Sequence, residues 1–161
     1  MGSVDRTTAM EYLTQAECWQ LLAGQPVGRI GVTTRTGPEV YPVNYVVEDE
    51  AVLFRTDPGG KLASLTGSPA VCFEIDHVDT EARTGWSVLV KGPARQLHPN
   101  EREQAAGLPL DYWAVGPKPH WVRIDPTEVT GRRIWQATVP AARPADEAFE
   151  VLDPRFTRPD R

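Results

Sequence analysis

Residues 51–76 read AVLFRTDPGGKLASLTGSPAVCFEID, and the fold follows from how this stretch divides. Ala51–Thr56 is apolar and β-prone, as suits a strand with both faces covered. Asp57-Pro58-Gly59-Gly60 stops it, because proline removes a ladder donor and paired glycines permit positive φ. Lys61–Thr66 then has a helical pattern up to Gly67, a natural residue just past a helix end. Val71–Asp76 alternates, with Val71, Phe73 and Ile75 on one face and polar groups on the other. A glycine-rich strand-to-helix turn leaves backbone N–H groups free at a positive helix end. Arg55, Thr56 and Lys61 add two cations and a hydroxyl around that spot. This is suitable chemistry for a phosphate. The alternative is a solvated loop carrying surface Arg and Lys, and the residue types alone leave both open.

Upstream, residues 1–12 read as a disordered lead. Thr14 followed by Glu17 is a capping-box pattern, Leu13 can staple against Cys18, and the helix ends at Gly24. Strands are expected over Val27–Thr34 and Glu39–Val47, with Glu48-Asp49-Glu50 forming a tight hairpin into Ala51. Pro42 inside the second strand implies an edge, a bulge or a place where pairing stops, leaving Asn44 and Tyr45 with free backbone groups. Downstream, Gly85–Leu97 is a long strand broken at Gly92-Pro93, and Pro99–Ala106 a short helix. Residues 107–119 are a loop, and His120–Ile124 with Glu128–Trp135 closes the pattern. The expected domain spans residues 13–136, followed by a proline-rich tail over 137–161. About six short strands with two or three peripheral helices, and no βαβ alternation, predict a mainly β, small antiparallel barrel.

At 161 residues one domain is expected, and a net charge of −5 argues against a general nucleic-acid binder. Lys61, Lys91 and Lys118 are the only lysines. Cys18 and Cys72 cannot make a disulfide framework and read as buried thiols. No run of about 18 apolar residues is present and Met1–Met10 lacks an apolar signal core, so no membrane span is expected and the cytoplasm is the expected location. GxGxxG, GxxxxGK[ST], GxSxG and HExxH are all absent, and His77, His98 and His120 are scattered. No metal site and no acid/base pair stands out, so the catalytic residues stay unknown; difficult electron chemistry would belong to a cofactor.

The order GRIGVTT, EVYPVNYVV, AVLFRTDPGGKLASL, AVCFEID, GWSVLVKGPA and HWVRIDPTEVTGRRI resembles the pyridoxamine 5'-phosphate oxidase-like family, in the form seen in actinobacterial members and nitroimidazole-resistance flavoproteins. The resemblance implies a six-stranded split β-barrel that forms a homodimer, with FMN in clefts at the interface. It assigns Arg55, Thr56 and Lys61 to the cofactor phosphate. Pro42, Val43, Asn44 and Tyr45 match the segment whose backbone lies along the isoalloxazine ring. Trp86 and Ser87 match the strand that flanks the cofactor, and Trp121 the strand that approaches the ring from the partner subunit. The C-terminal basic motif of true pyridoxamine phosphate oxidases is missing, since the chain ends EVLDPRFTRPDR.

The resemblance therefore implies an FMN-dependent oxidoreductase moving hydride through flavin N5 to or from a small substrate. One alternative is a deazaflavin coenzyme, whose polyglutamate tail wants a basic groove that Arg29, Arg132 and Arg133 could form. The other is a binding protein for flavin, haem or another planar ligand without turnover.

Overall fold

A computed structural model describes residues 6–67 and 70–138. These residues form nine antiparallel strands and three helices: β1 (Arg6–Tyr12), α1 (Gln15–Ala23), β2 (Val27–Thr34), β3 (Gly37–Glu48), β4 (Ala51–Thr56), α2 (Gly60–Gly67), β5 (Val71–Asp79), β6 (Thr84–Gly92), β7 (Ala94–Gln96), α3 (Pro99–Ala105), β8 (His120–Ile124) and β9 (Glu128–Thr138). The strands hydrogen-bond in the order β1-β9-β6-β5-β2-β3-β4-β8-β7.

The mainly β, antiparallel architecture agrees with the sequence; the count of six does not. Residues 6–12, expected to be disordered, form β1 and pair residue for residue with β9, from Arg6 opposite Thr138 to Tyr12 opposite Arg132. Their mixed polar pattern suits a strand that covers an edge rather than a core. Pro93, without an N–H, breaks the long strand at the expected point, so β7 is a separate element that pairs with β8 instead of continuing β6. The tail expected from residue 137 begins after β9, which runs to Thr138; the rest lies outside the described residues.

β3 is the strand that turns the sheet. Its first part, Gly37–Asn44, pairs with β2, and its last part, Tyr45–Glu48, pairs with β4. Pro42 lies opposite Arg29 in the stretch where β4 does not reach, so its missing N–H breaks no ladder. The free edge is thus Gly37–Asn44 among the described residues, and Tyr45, expected to be unpaired, is matched with Phe54. Asp49 and Glu50 close the hairpin with φ of 48° and 49°, the mirror-image turn that suits strand twist.

The main core is filled by Ile30, Val43, Tyr45, Phe54, Phe73, Ile75, Val88 and Val122 among others, with Cys18 and Leu22 of α1 and Leu62 and Leu65 of α2 packed into it. α1 starts with the expected capping box, Thr14 and Glu17 bonding reciprocally. The Tyr45 hydroxyl donates to the Leu22 carbonyl at 2.6 Å and so ties α1 to β3; burial pushes the phenol pKa up. A second cluster, Ala51, Leu53, Leu97, Ala105 and Trp121, covers the opposite face of β4. β4 is therefore packed on both sides, as its unbroken apolar run requires. Cys18 is buried as expected, but Cys72 is exposed, because it alternates outward with Glu74 and Asp76 on β5.

Candidate functional site

Strand alternation decides what β4 offers to each side. Phe54 and Thr56 lie on the face turned to the main core, and Thr56 is 2% exposed. Arg55 points outward, where its register partner on β8 is Trp121. The Arg55 guanidinium carbon lies 5.5 Å from the Trp121 ring centroid and 5.2 Å from that of Tyr112, within cation–π range of both. Its Nε–H donates to the Lys118 carbonyl at 2.6 Å. Arg55 is thereby fixed against residues 107–119, the segment between α3 and β8.

The same segment reaches β3. The Trp113 amide donates to Asn44 Oδ1 at 2.9 Å, while Asn44 Nδ2 donates to the Pro26 carbonyl at 3.1 Å. Lys118 turns back to the strand-to-helix loop, its Nζ 2.5 Å from Asp57 Oδ2. Gly59 holds that loop at φ 141°, a conformation that favours glycine. Lys61 follows in the first turn of α2, its ammonium 5.2 Å from the Tyr41 ring centroid. Burial lowers the Lys61 pKa, the nearby Lys118 charge lowers it further, and Asp57 opposes both. A groove of about 590 Å³ opens beside it, lined by Thr34, Glu39, Tyr41, Gly60, Lys61 and Ser64 among others.

The structure thus brings Asn44, Arg55 and Trp121 around one segment, and joins Lys61 to them through Lys118 and Asp57. Thr56 stands apart, with its side chain on the other face of the strand. Val43 and Tyr45 are 7% and 4% exposed and turned into the core, so they present only backbone, whereas Pro42 is exposed on the free edge. Trp86 and Ser87 lie on β6, with β5, β2 and β3 between it and β4 in the sheet. Trp86 stacks on His77 at 6.1 Å, and Ser87 sits between Asp76 and Arg132 in register.

Lys118, Tyr112 and Asp57 were not singled out from the sequence. A signal existed for Lys118: lysine is scarce here, and this one stands in a rigid GPKP loop. The three arginines considered for a basic groove are otherwise engaged. Arg29 pairs with Asp76 at 2.7 Å and Glu74 at 3.4 Å, Arg133 with Glu11 at 3.0 Å, and Arg132 lies over Tyr12. Among the described residues no helix is long and apolar enough to cross a membrane, and no cluster of His, Cys, Asp or Glu is placed to hold a metal.

Comparison with known proteins adds three relatives. An uncharacterized Mycobacterium tuberculosis protein, Rv0080, is 35% identical over 127 residues, covering 76% of this chain and 84% of that one. The structure of an FAD binding protein from Mycobacterium smegmatis superposes with TM-score 0.60 at 37% identity, covering 78% of this chain and 98% of the other. An FAD-binding protein from Mesorhizobium loti superposes with TM-score 0.67 at 25% identity, covering 80% and 98%. The family model for pyridoxamine 5'-phosphate oxidase matches residues 14–133, from the α1 cap to β9, and by that match the chain belongs to the pyridoxamine 5'-phosphate oxidase family.

Proposed function

We propose that this protein is a flavin-dependent oxidoreductase that binds a flavin nucleotide between the Arg55–Lys61 region and the free edge of β3. The observation that carries this reading is the convergence of Arg55, Lys61 and Asn44 beside a strand edge, Gly37–Asn44, on which no second strand lies among the described residues. The residues fit the group. Two cations match a phosphate, a strand edge left unpaired among the described residues offers amides and carbonyls to a polar ring rim, and the exposed Tyr112 beside Arg55 offers an aromatic wall. The two FAD-binding relatives support a flavin and make FAD a second reading beside FMN. When bound, a flavin supplies hydride acceptance or donation at its N5. The protein's part is to bind the phosphate through Arg55 and Lys61, orient the ring along β3, and exclude water with residues 107–119.

We further propose a homodimer. Register sets Met10, Ile134, Gly85 and Val78 in one row across β1, β9, β6 and β5. Met10, Ile134 and Val78 are 54%, 39% and 61% exposed, an apolar stripe on the outer sheet face that suits a second copy. Ser87 belongs to the adjoining row of that face and would then approach the partner's cofactor. The deazaflavin reading is weaker, because Arg29 and Arg133 are neutralised by their own acids.

The decisive measurement is the absorbance spectrum of the purified protein near ~450 nm, followed by titration with FMN, FAD, riboflavin and the deazaflavin. Binding of FMN or FAD above riboflavin supports the reading. A colourless protein that ignores all of them removes it, and persistent binding without reduction by NADH, NADPH or reduced deazaflavin would leave a carrier.

A further inference from the structure

The chain holds only three lysines and carries a net charge of −5, yet two of those lysines, Lys61 and Lys118, meet beside Arg55. They arrive from separate parts of the chain, α2 and the segment before β8. Asp57 is the carboxylate that pairs with this group, while Glu39, which lines the groove beside Lys61, accepts from the Tyr41 hydroxyl. The Lys118–Asp57 pair is lopsided. The Lys118 side chain is 15% exposed and the Asp57 side chain 54%, so the acid can turn into water while the ammonium stays sheltered. A half-exposed ion pair of this kind contributes little by itself. The Lys118 main chain is held independently, through its carbonyl on Arg55 Nε–H at 2.6 Å. Its Nζ can therefore exchange one partner for another without the loop moving.

We infer that Lys118 is a phosphate-binding residue of this site and that Asp57 is its internal counter-ion, displaced when a doubly charged phosphate group enters. The inference rests on the flavin-nucleotide reading and deepens it, since it makes the phosphate the part of the ligand that the protein selects. Both a terminal phosphate monoester and a diphosphate bridge carry the required charge.

The test uses the full chain and measures dissociation constants for FMN, FAD and riboflavin, with inorganic pyrophosphate as a separate probe. In K118M the preference for FMN or FAD over riboflavin is expected to fall at least tenfold. In D57N it should rise several-fold, because the competing carboxylate is gone, and the double variant should behave like K118M. Loss confined to FMN assigns Lys118 to a terminal phosphate, and loss confined to FAD to the diphosphate. An unchanged preference in both variants overturns the inference while leaving the flavin reading intact. D57N weakening nucleotide binding as much as K118M would overturn the displacement, making Asp57 a residue that merely positions the lysine. Wild type binding pyrophosphate through Lys118 but no flavin would sink the flavin reading and keep the inference; binding neither sinks both. Should K118M fail to fold, D57N, altered in an exposed loop, still decides.

Discussion

Gly28 on β2 lies under the ring of Phe73 on β5, so close that a β-carbon at Gly28 would stand 2.1 Å from Phe73 Cζ. Phe73 is fully buried and meets Tyr45 edge-on with centroids 4.7 Å apart, so its ring has nowhere to retreat. The glycine is a packing element of the core.

Gly28→Ala should therefore cost about 1–3 kcal/mol, the range for overpacking a filled core. Gly24, at the end of α1, is the control. It is right-handed helical at φ −92°, and an added β-carbon would meet only carbonyls at 3.5 and 3.6 Å. Gly24→Ala is expected to be neutral or stabilising by up to about 1 kcal/mol. Urea denaturation of the two variants checks the contrast; equal midpoints would contradict it.

How far these relations were legible depends on how local they are. β2, β4 and the capping box at Thr14–Glu17 follow from periodicity and turn chemistry, and they stand where the sequence puts them. Arg55 and Lys61 were legible as a charged pair around a glycine turn. Lys118 was not, because it comes to them from 57 residues beyond Lys61 through the pairing of β8 with β4, which no local pattern encodes. β1 was hidden for another reason. From Ala9 to Tyr12 its residues are half-buried or exposed, and the strand takes its shape from the edge of β9.

That edge gives the next expectation. β1 lies outside residues 14–133, the part matched by the family model. Deleting residues 1–12 should expose the backbone of β9 from Arg132 to Thr138 and lower the thermal midpoint. A bare strand edge is a template for association, so the truncated protein should also self-associate more readily. Light scattering and a melting curve on both forms read the two effects. An unaltered melt with a monodisperse truncated species would mean that β1 contributes nothing to the edge.

Acid should loosen α3. Arg95 grips Glu101 with two bonds of 2.8 Å and Asp125 with one of 2.9 Å, linking α3 to β7 and to the residue that follows β8. The Arg95 bonds, then the His98 backbone N–H, hold the Glu101 carboxyl at about 2, below its ordinary 4.5. A folded pKa below the unfolded one means stability that is complete above about 4.5 and is lost as pH falls toward 2. Glu101→Gln should flatten that part of the pH profile of the melting temperature and leave the neutral-to-alkaline part parallel to wild type. A variant profile with the same acid slope would place the titrating group elsewhere.

The last expectation concerns Arg55, which makes three contacts that a lysine cannot reproduce together: the Lys118 carbonyl, the Tyr112 face and the Trp121 face. A guanidinium has several donors in one plane, so it can hold the carbonyl through Nε–H and still present its outer nitrogens to an anion. Arg55→Lys should therefore weaken flavin nucleotide binding although the charge is kept. Removing both cations, in Arg55→Ala with Lys61→Ala, should cost several kcal/mol, since each charge-assisted bond is worth roughly 1.5–3 kcal/mol. At about 1.4 kcal/mol per decade, this means a rise in Kd of at least ~100-fold. Riboflavin separates the two roles of the site, because it keeps the ring and lacks the phosphate. Its affinity should hardly change in the double variant if Arg55 and Lys61 act on phosphate. A parallel loss for riboflavin would instead mean that freeing residues 107–119 from Arg55 had collapsed the wall behind the ring.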